Sequence, residues 1–96
     1  MNRTADAIGF LKSWAFAATD PFDQLLQGPV FALPTALDRA GITLKDVGVI
    51  EMHEAFAAQV LSNIQWMGSQ KIAQERLGLS QPVGQIDPEK INRTGG

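Results

Sequence analysis

The stretch Val47-Gly48-Val49-Ile50-Glu51-Met52-His53-Glu54-Ala55-Phe56-Ala57-Ala58-Gln59 decides the fold, because an apolar, β-branched run hands over to a helical pattern inside it. Val47 to Ile50 reads as a short strand buried on both faces. From Glu54 onward, Ala57, Val60, Leu61, Ile64 and Met67 recur at three- and four-residue intervals, one face of a helix that should end near Met67. His53, the single histidine of the chain, therefore falls on a strand-to-helix turn. The free N–H groups and the dipole of a helix start favour negative charge, so this junction suits the stabilisation of an oxyanion.

Upstream, Ile8 to Ala18 sets Ile8, Phe10, Lys12, Trp14 and Phe16 against Gly9, Leu11, Ser13, Ala15 and Ala17, a period of two with aromatics on one side, which predicts a strand. Asp20-Pro21 then offers an N-cap followed by proline at the first helical position, and Gly28 should end that short turn or helix. A second helix is expected over Val30 to Ala40, closed by Gly41, with Pro34 kinking its first turns or delaying its regular part. Thr43 to Asp46 reads as a capping turn.

Downstream, no charged residue occurs between Ala55 and Gln70. A helix whose polar side is Gln59, Ser62, Asn63 and Gln65 should be covered by neighbours rather than fully solvated. Ser69 caps a further helix to about Leu77, stopped by Gly78. Val83 to Asn92 should be a loop with a turn at Asp87-Pro88 and a terminal strand at Ile91. The order strand, helix, strand, helix, helix is an α/β pattern, with a crossover long enough for parallel pairing.

A length of 96 residues allows one domain at most, and a chain of this size buries only about 60 to 70% of its unfolded surface. A hydrophobic content of 45% with 19% charged residues is that of a globular chain. The net charge of −2 gives no basic stripe for nucleic acid. There is no cysteine, so disulfides and cysteine zinc sites are excluded. Neither a secretory signal nor a membrane span is visible, and a cytoplasmic location is expected. The sequons Asn2-Arg3-Thr4 and Asn92-Arg93-Thr94 are read as unglycosylated on the same ground.

His53-Glu54-Ala55-Phe56-Ala57-Ala58-Gln59 resembles the HEAF-type motif of thiolases, in particular the 3-ketoacyl-CoA thiolases that work with a multifunctional β-oxidation partner. The segment from Gly28 to Leu44 resembles the helix preceding that motif in the family. Ile91-Asn92-Arg93-Thr94-Gly95-Gly96 resembles the start of its asparagine and double-glycine run, which continues into serine and Gly-His-Pro. The match extends from about Ile8 to Gly96, and the ordered occurrence of these blocks is more specific than the HEAF motif alone.

The resemblance implies that residues 1–96 are the first part of the C-terminal half of a layered α/β/α/β/α thiolase fold, with an incomplete sheet and covering helices. It implies an acetyl-CoA C-acyltransferase parent that cleaves 3-ketoacyl-CoA with CoA or runs the reverse condensation. Coenzyme A and acyl-CoA are then substrates, and no covalently bound cofactor or metal is expected. His53 would help hold the water or donor that stabilises the thioester oxygen, a role that the family gives to Asn or His, and Phe56 would lie beside the pantetheine arm. The family's nucleophilic cysteine, its Gly-His-Pro histidine and its second cysteine have no counterpart in these residues, and without a thiol the covalent step is impossible. The isolated chain is therefore expected to be inactive, and to self-associate or await its missing halves.

Two rivals stand beside this reading. One is a non-catalytic thiolase-like module that binds acyl-CoA or a partner without turnover. The other, suggested by Gly95-Gly96, is a β-grasp modifier or sulfur carrier. That fold opens with a hairpin, whereas Asp20 to Ala40 reads as turn and helix.

Overall fold

The computed structural model describes residues 6–95, so the Asn2-Arg3-Thr4 sequon and Gly96 of the closing double glycine lie outside the described residues. Among the described residues three α-helices organise the fold: α1 over Gly28–Ala40, α2 over Ala57–Met67 and α3 over Gln70–Glu75. Single turns of 3-10 helix at Leu44–Asp46 and Pro88–Lys90 join them to the intervening loops.

Helix α1 starts earlier than the apolar pattern suggests. Gly28 opens it rather than closing the preceding turn, because Pro29 behind it needs no N–H partner in a first helical turn. The helix is continuous through Pro34. It ends at Gly41, whose φ of 70° is the left-handed conformation that glycine adopts without a steric penalty. Before α1, Asp20 behaves as a turn residue: an oxygen of its carboxylate accepts from the Phe22 N–H at 2.9 Å.

The Thr43 turn closes as its sequence suggests, with the Thr43 N–H donating to Asp46 Oδ2 at 2.9 Å. Helix α2 begins at Ala57, not at Glu54, which leaves His53 to Phe56 as irregular chain ahead of it. Ser69 caps α3, its Oγ accepting from the Ile72 N–H at 3.2 Å. This helix stops at Glu75, short of Leu77.

The expected strands are the main correction. Among the described residues the only β pairing is an isolated parallel bridge between Ile50 and Ile91. It joins the end of the Val47 run to the expected terminal strand, so the parallel direction is present in a single pair. Ile8 to Ala18 forms no strand. Its alternation is present, but a ladder needs a second chain segment with free N–H and C=O groups, and the segment lies instead beside α1. Ser13 Oγ donates to the Ala36 carbonyl at 2.7 Å and an Arg39 guanidinium nitrogen donates to the Trp14 carbonyl at 2.8 Å. Phe10 and Phe16 remain 88% and 89% exposed.

The core sits between α1, α2 and the closing loop: Val30, Leu37, Leu44, Met67 and Ile86 are buried together. Phe31 and Trp66 meet edge to face at its margin, with ring centroids 6.4 Å apart. The uncharged polar side of α2 is indeed partly covered. Asn63 is 0% exposed, and its Nδ2 donates to the carbonyls of Leu26 and Gln59 at 3.2 and 2.6 Å. Gln27, also buried, donates to Ser62 Oγ. The turn before α1 thus supplies the cover, while Gln65 stays exposed.

No helix of the described residues is long and apolar enough to cross a membrane.

Candidate functional site

His53 lies on the irregular segment between the Ile50 bridge and α2, four positions ahead of Ala57. It is exposed, and among the described residues its imidazole has no hydrogen-bond partner. The ring faces solvent on non-helical chain and does not pack into the core of the described residues.

What holds the segment is its backbone. Asn92 Oδ1 accepts from the Met52 N–H at 2.8 Å, and Asn92 Nδ2 donates to the Met52 carbonyl at 2.8 Å and to Glu54 Oε1 at 2.6 Å. The residues on either side of His53 are therefore tied to one amide. On the helix side, Gln59 reaches back with two longer contacts: its Oε1 accepts from the Phe56 N–H and its Nε2 donates to the His53 carbonyl, both at 3.4 Å. These are weak beside the Asn92 bonds. Glu54 stands outside the helix, so its role here is to accept from Asn92 rather than to complement the dipole of α2.

Phe56 occupies the N-cap position of α2 in an extended conformation and is 64% exposed. It is not a core residue of this chain. His53 and Phe56 are thus brought to the same turn, both facing outward. Asn92, which organises that turn, is distant in sequence and is legible only as part of the Ile91 to Gly96 run; an asparagine directly after an expected strand residue is a slight signal.

Other concave regions lie elsewhere. A groove of about 490 Å³ runs between α1 and the segment after α3, lined by Phe31, Pro34, Leu37, Leu77 and Val83 among others, and includes neither His53 nor Phe56. Arg76 at its rim pairs with Asp23 at 2.9 Å and lies 5.8 Å from the Trp66 ring centroid. Both partners of the pair are substantially exposed, so it adds at most about 1 kcal/mol. Among the described residues no group of three or more His, Asp or Glu side chains is arranged to hold a metal ion.

The sequence matches the family described as "Thiolase, C-terminal domain" over residues 5–96. It is 53% identical over 91 residues to a 3-ketoacyl-CoA thiolase of Shewanella sediminis, covering 95% of this chain and 21% of that protein. A 3-ketoacyl-CoA thiolase of Pseudoalteromonas atlantica is 56% identical over 88 residues, covering 92% of this chain and 20% of the relative. Among solved structures, an acetyl-CoA acetyltransferase from Syntrophomonas wolfei superposes with a TM-score of 0.61 at 29% identity, over 88% of this chain and 18% of that one. The chain spans about a fifth of the length of the curated relatives it matches.

Proposed function

Since the chain belongs to the thiolase family through its C-terminal domain, we propose that it is one part of a 3-ketoacyl-CoA thiolase, an acetyl-CoA C-acyltransferase, in which His53 stabilises the reacting thioester oxygen. The observation that carries this is the identity of 53 to 56% over nearly the whole chain with proteins named 3-ketoacyl-CoA thiolase. Residues 1–96 are then a partial C-terminal domain, and the layered sheet is completed by segments of the longer protein that pair with Ile8 to Ala18. Acyl-CoA and CoA are the substrates, with no bound cofactor, and the protein works in the cytoplasm.

In this reading a thiolate from elsewhere in the protein attacks the 3-keto carbon of 3-ketoacyl-CoA, and the C2–C3 bond breaks to leave the shortened acyl group on that sulfur. The electron pair moves onto the thioester oxygen of the departing acetyl-CoA enolate, which takes up a proton as acetyl-CoA leaves. The imidazole of His53 donates to that oxygen directly or through a water, and Phe56 lies against the pantetheine arm. The exposed position of both side chains on one turn supports a surface that other parts of the enzyme close over. CoA thiolate then takes the acyl group, and the reverse direction uses the same groups.

The test is an assay of the full-length protein carrying this segment, with 3-ketoacyl-CoA and CoA, following acetyl-CoA formation. Turnover supports the reading; none, with a correctly folded and cysteine-bearing enzyme, contradicts it. A second reading, a non-catalytic thiolase-like module that binds acyl-CoA or a partner, is favoured by one observation, the absence of cysteine from these residues. Acyl-CoA binding without turnover by the full-length protein is the result that would select it.

A further inference from the structure

We propose that Asn92 is a positioning residue for His53, holding the Met52–Glu54 segment in the geometry that the reaction uses; this rests on the reading of His53 as the oxyanion-stabilising group. One side chain makes the short bonds of the tie, beside the longer contacts from Gln59. The amide of Asn92 presents an acceptor and a donor side by side, and both are used on the same residue: Oδ1 takes the Met52 N–H and Nδ2 gives to the Met52 carbonyl, each at 2.8 Å. The same Nδ2 gives to Glu54 Oε1 at 2.6 Å. Irregular chain has no ladder of its own to satisfy its polar groups, so Asn92 substitutes for a neighbouring strand at this point.

The backbone of Asn92 is fixed in turn. Its N–H donates to the Ile50 carbonyl at 2.8 Å, directly after the Ile50–Ile91 bridge, and its φ is +49°. Asparagine tolerates that conformation better than most side chains. Aspartate would keep the conformation but lose both donors and place a second carboxylate beside Glu54. Glycine would keep the conformation and lose every side-chain bond. The residue type and the site therefore fit each other at three points: backbone angle, paired amide and the charge of Glu54.

A group that acts on a transition state loses effect when displaced by a fraction of a bond length, with rate losses of up to about 100-fold for 1 Å. The experiment compares Asn92→Gly, Asn92→Asp, Glu54→Gln, Asn92→Asp/Glu54→Gln and His53→Ala in the full-length enzyme carrying this segment, by steady-state kinetics and hydrogen–deuterium exchange. Asn92→Gly should lower kcat about 10- to 100-fold with KM within about threefold. Exchange should rise over residues 51–56 and stay unchanged over α1. Asn92→Asp should be at least as slow, and adding Glu54→Gln should restore part of its kcat, because the introduced amide donates to the introduced carboxylate. Glu54→Gln alone should be mild.

A kcat within threefold for Asn92→Gly, beside a strong loss in His53→Ala, overturns the proposal and leaves the function standing. If His53→Ala is itself within threefold, the role of His53 falls and this proposal falls with it. Should Asn92→Gly loosen α1 as well, the charge-swap pair decides: no recovery of kcat in the double variant overturns the positioning role.

Discussion

Ile50 and Ile91 face each other in a parallel bridge that joins segments separated by the whole of α2 and α3. Two hydrogen bonds flank it, from the Ile50 N–H to the Lys90 carbonyl at 2.9 Å and from the Asn92 N–H to the Ile50 carbonyl at 2.8 Å. Both isoleucines are half-buried against the core. The amides of Ile50 and Asn92 should therefore open together, with one common free energy of exchange by NMR. Ile91→Ala should lower that value at both sites by about 1 to 2 kcal/mol, less than the roughly 2 to 5 kcal/mol typical of a fully buried isoleucine. Unrelated exchange behaviour at the two amides contradicts the coupling.

Gly84 tests the packing of the closing loop. Its φ is +146°, and a Cβ added there would lie 3.0 Å from Leu44 Cδ2. Gly84→Ala should cost more than about 1 kcal/mol in urea unfolding. Gly48, where an added Cβ meets nothing within 4 Å, is the control, and Gly48→Ala should stay within about 0.5 kcal/mol of the parent. Equal effects of the two substitutions would show that the Leu44 contact has no weight.

The exposed aromatics predict association of the isolated chain. Phe10, Phe16 and Phe22 are 88%, 89% and 96% exposed, and water-facing apolar surface of this extent drives contact with another copy or with missing neighbours. Sedimentation velocity of the 96-residue chain should show a coefficient that rises with concentration. The double substitution Phe10→Ser/Phe16→Ser should move it toward the monomer. A strict monomer at every concentration is the contrary result.

Chemistry makes a simpler demand of the same preparation. With no cysteine in its sequence, the chain alone should give no thioester cleavage above the uncatalysed rate. Turnover that survives exclusion of contaminating enzyme contradicts the account of the covalent step.

Local signals in the sequence translate well. Gly41, the Thr43–Asp46 turn and the Ser69 cap each depend on residues within a few positions, and each forms as its residue types suggest. Gly28 misleads because the same residue type ends helices and precedes a first-turn proline, and Pro29 decides between the two uses. The Ile8 to Ala18 pattern has the alternation of a strand, but pairing depends on a partner segment that the alternation cannot reveal. Of the site, the position of His53 after an apolar run and before a helix is readable. Its tie to Asn92 is not, because the hydrogen bonds bridge segments that only the folded chain brings together.

The central claim is that His53 stabilises developing negative charge, and kcat of His53→Ala in the full-length enzyme carrying this segment tests it most directly. A group that acts mainly on the transition state should affect kcat far more than KM. The account predicts a fall in kcat of about 100- to 1,000-fold with thermal unfolding close to the parent's, and a milder loss for His53→Asn, whose amide still donates. A His53→Ala enzyme with kcat within about threefold of the parent would contradict it, since that lies far below the effect of a single oxyanion donor.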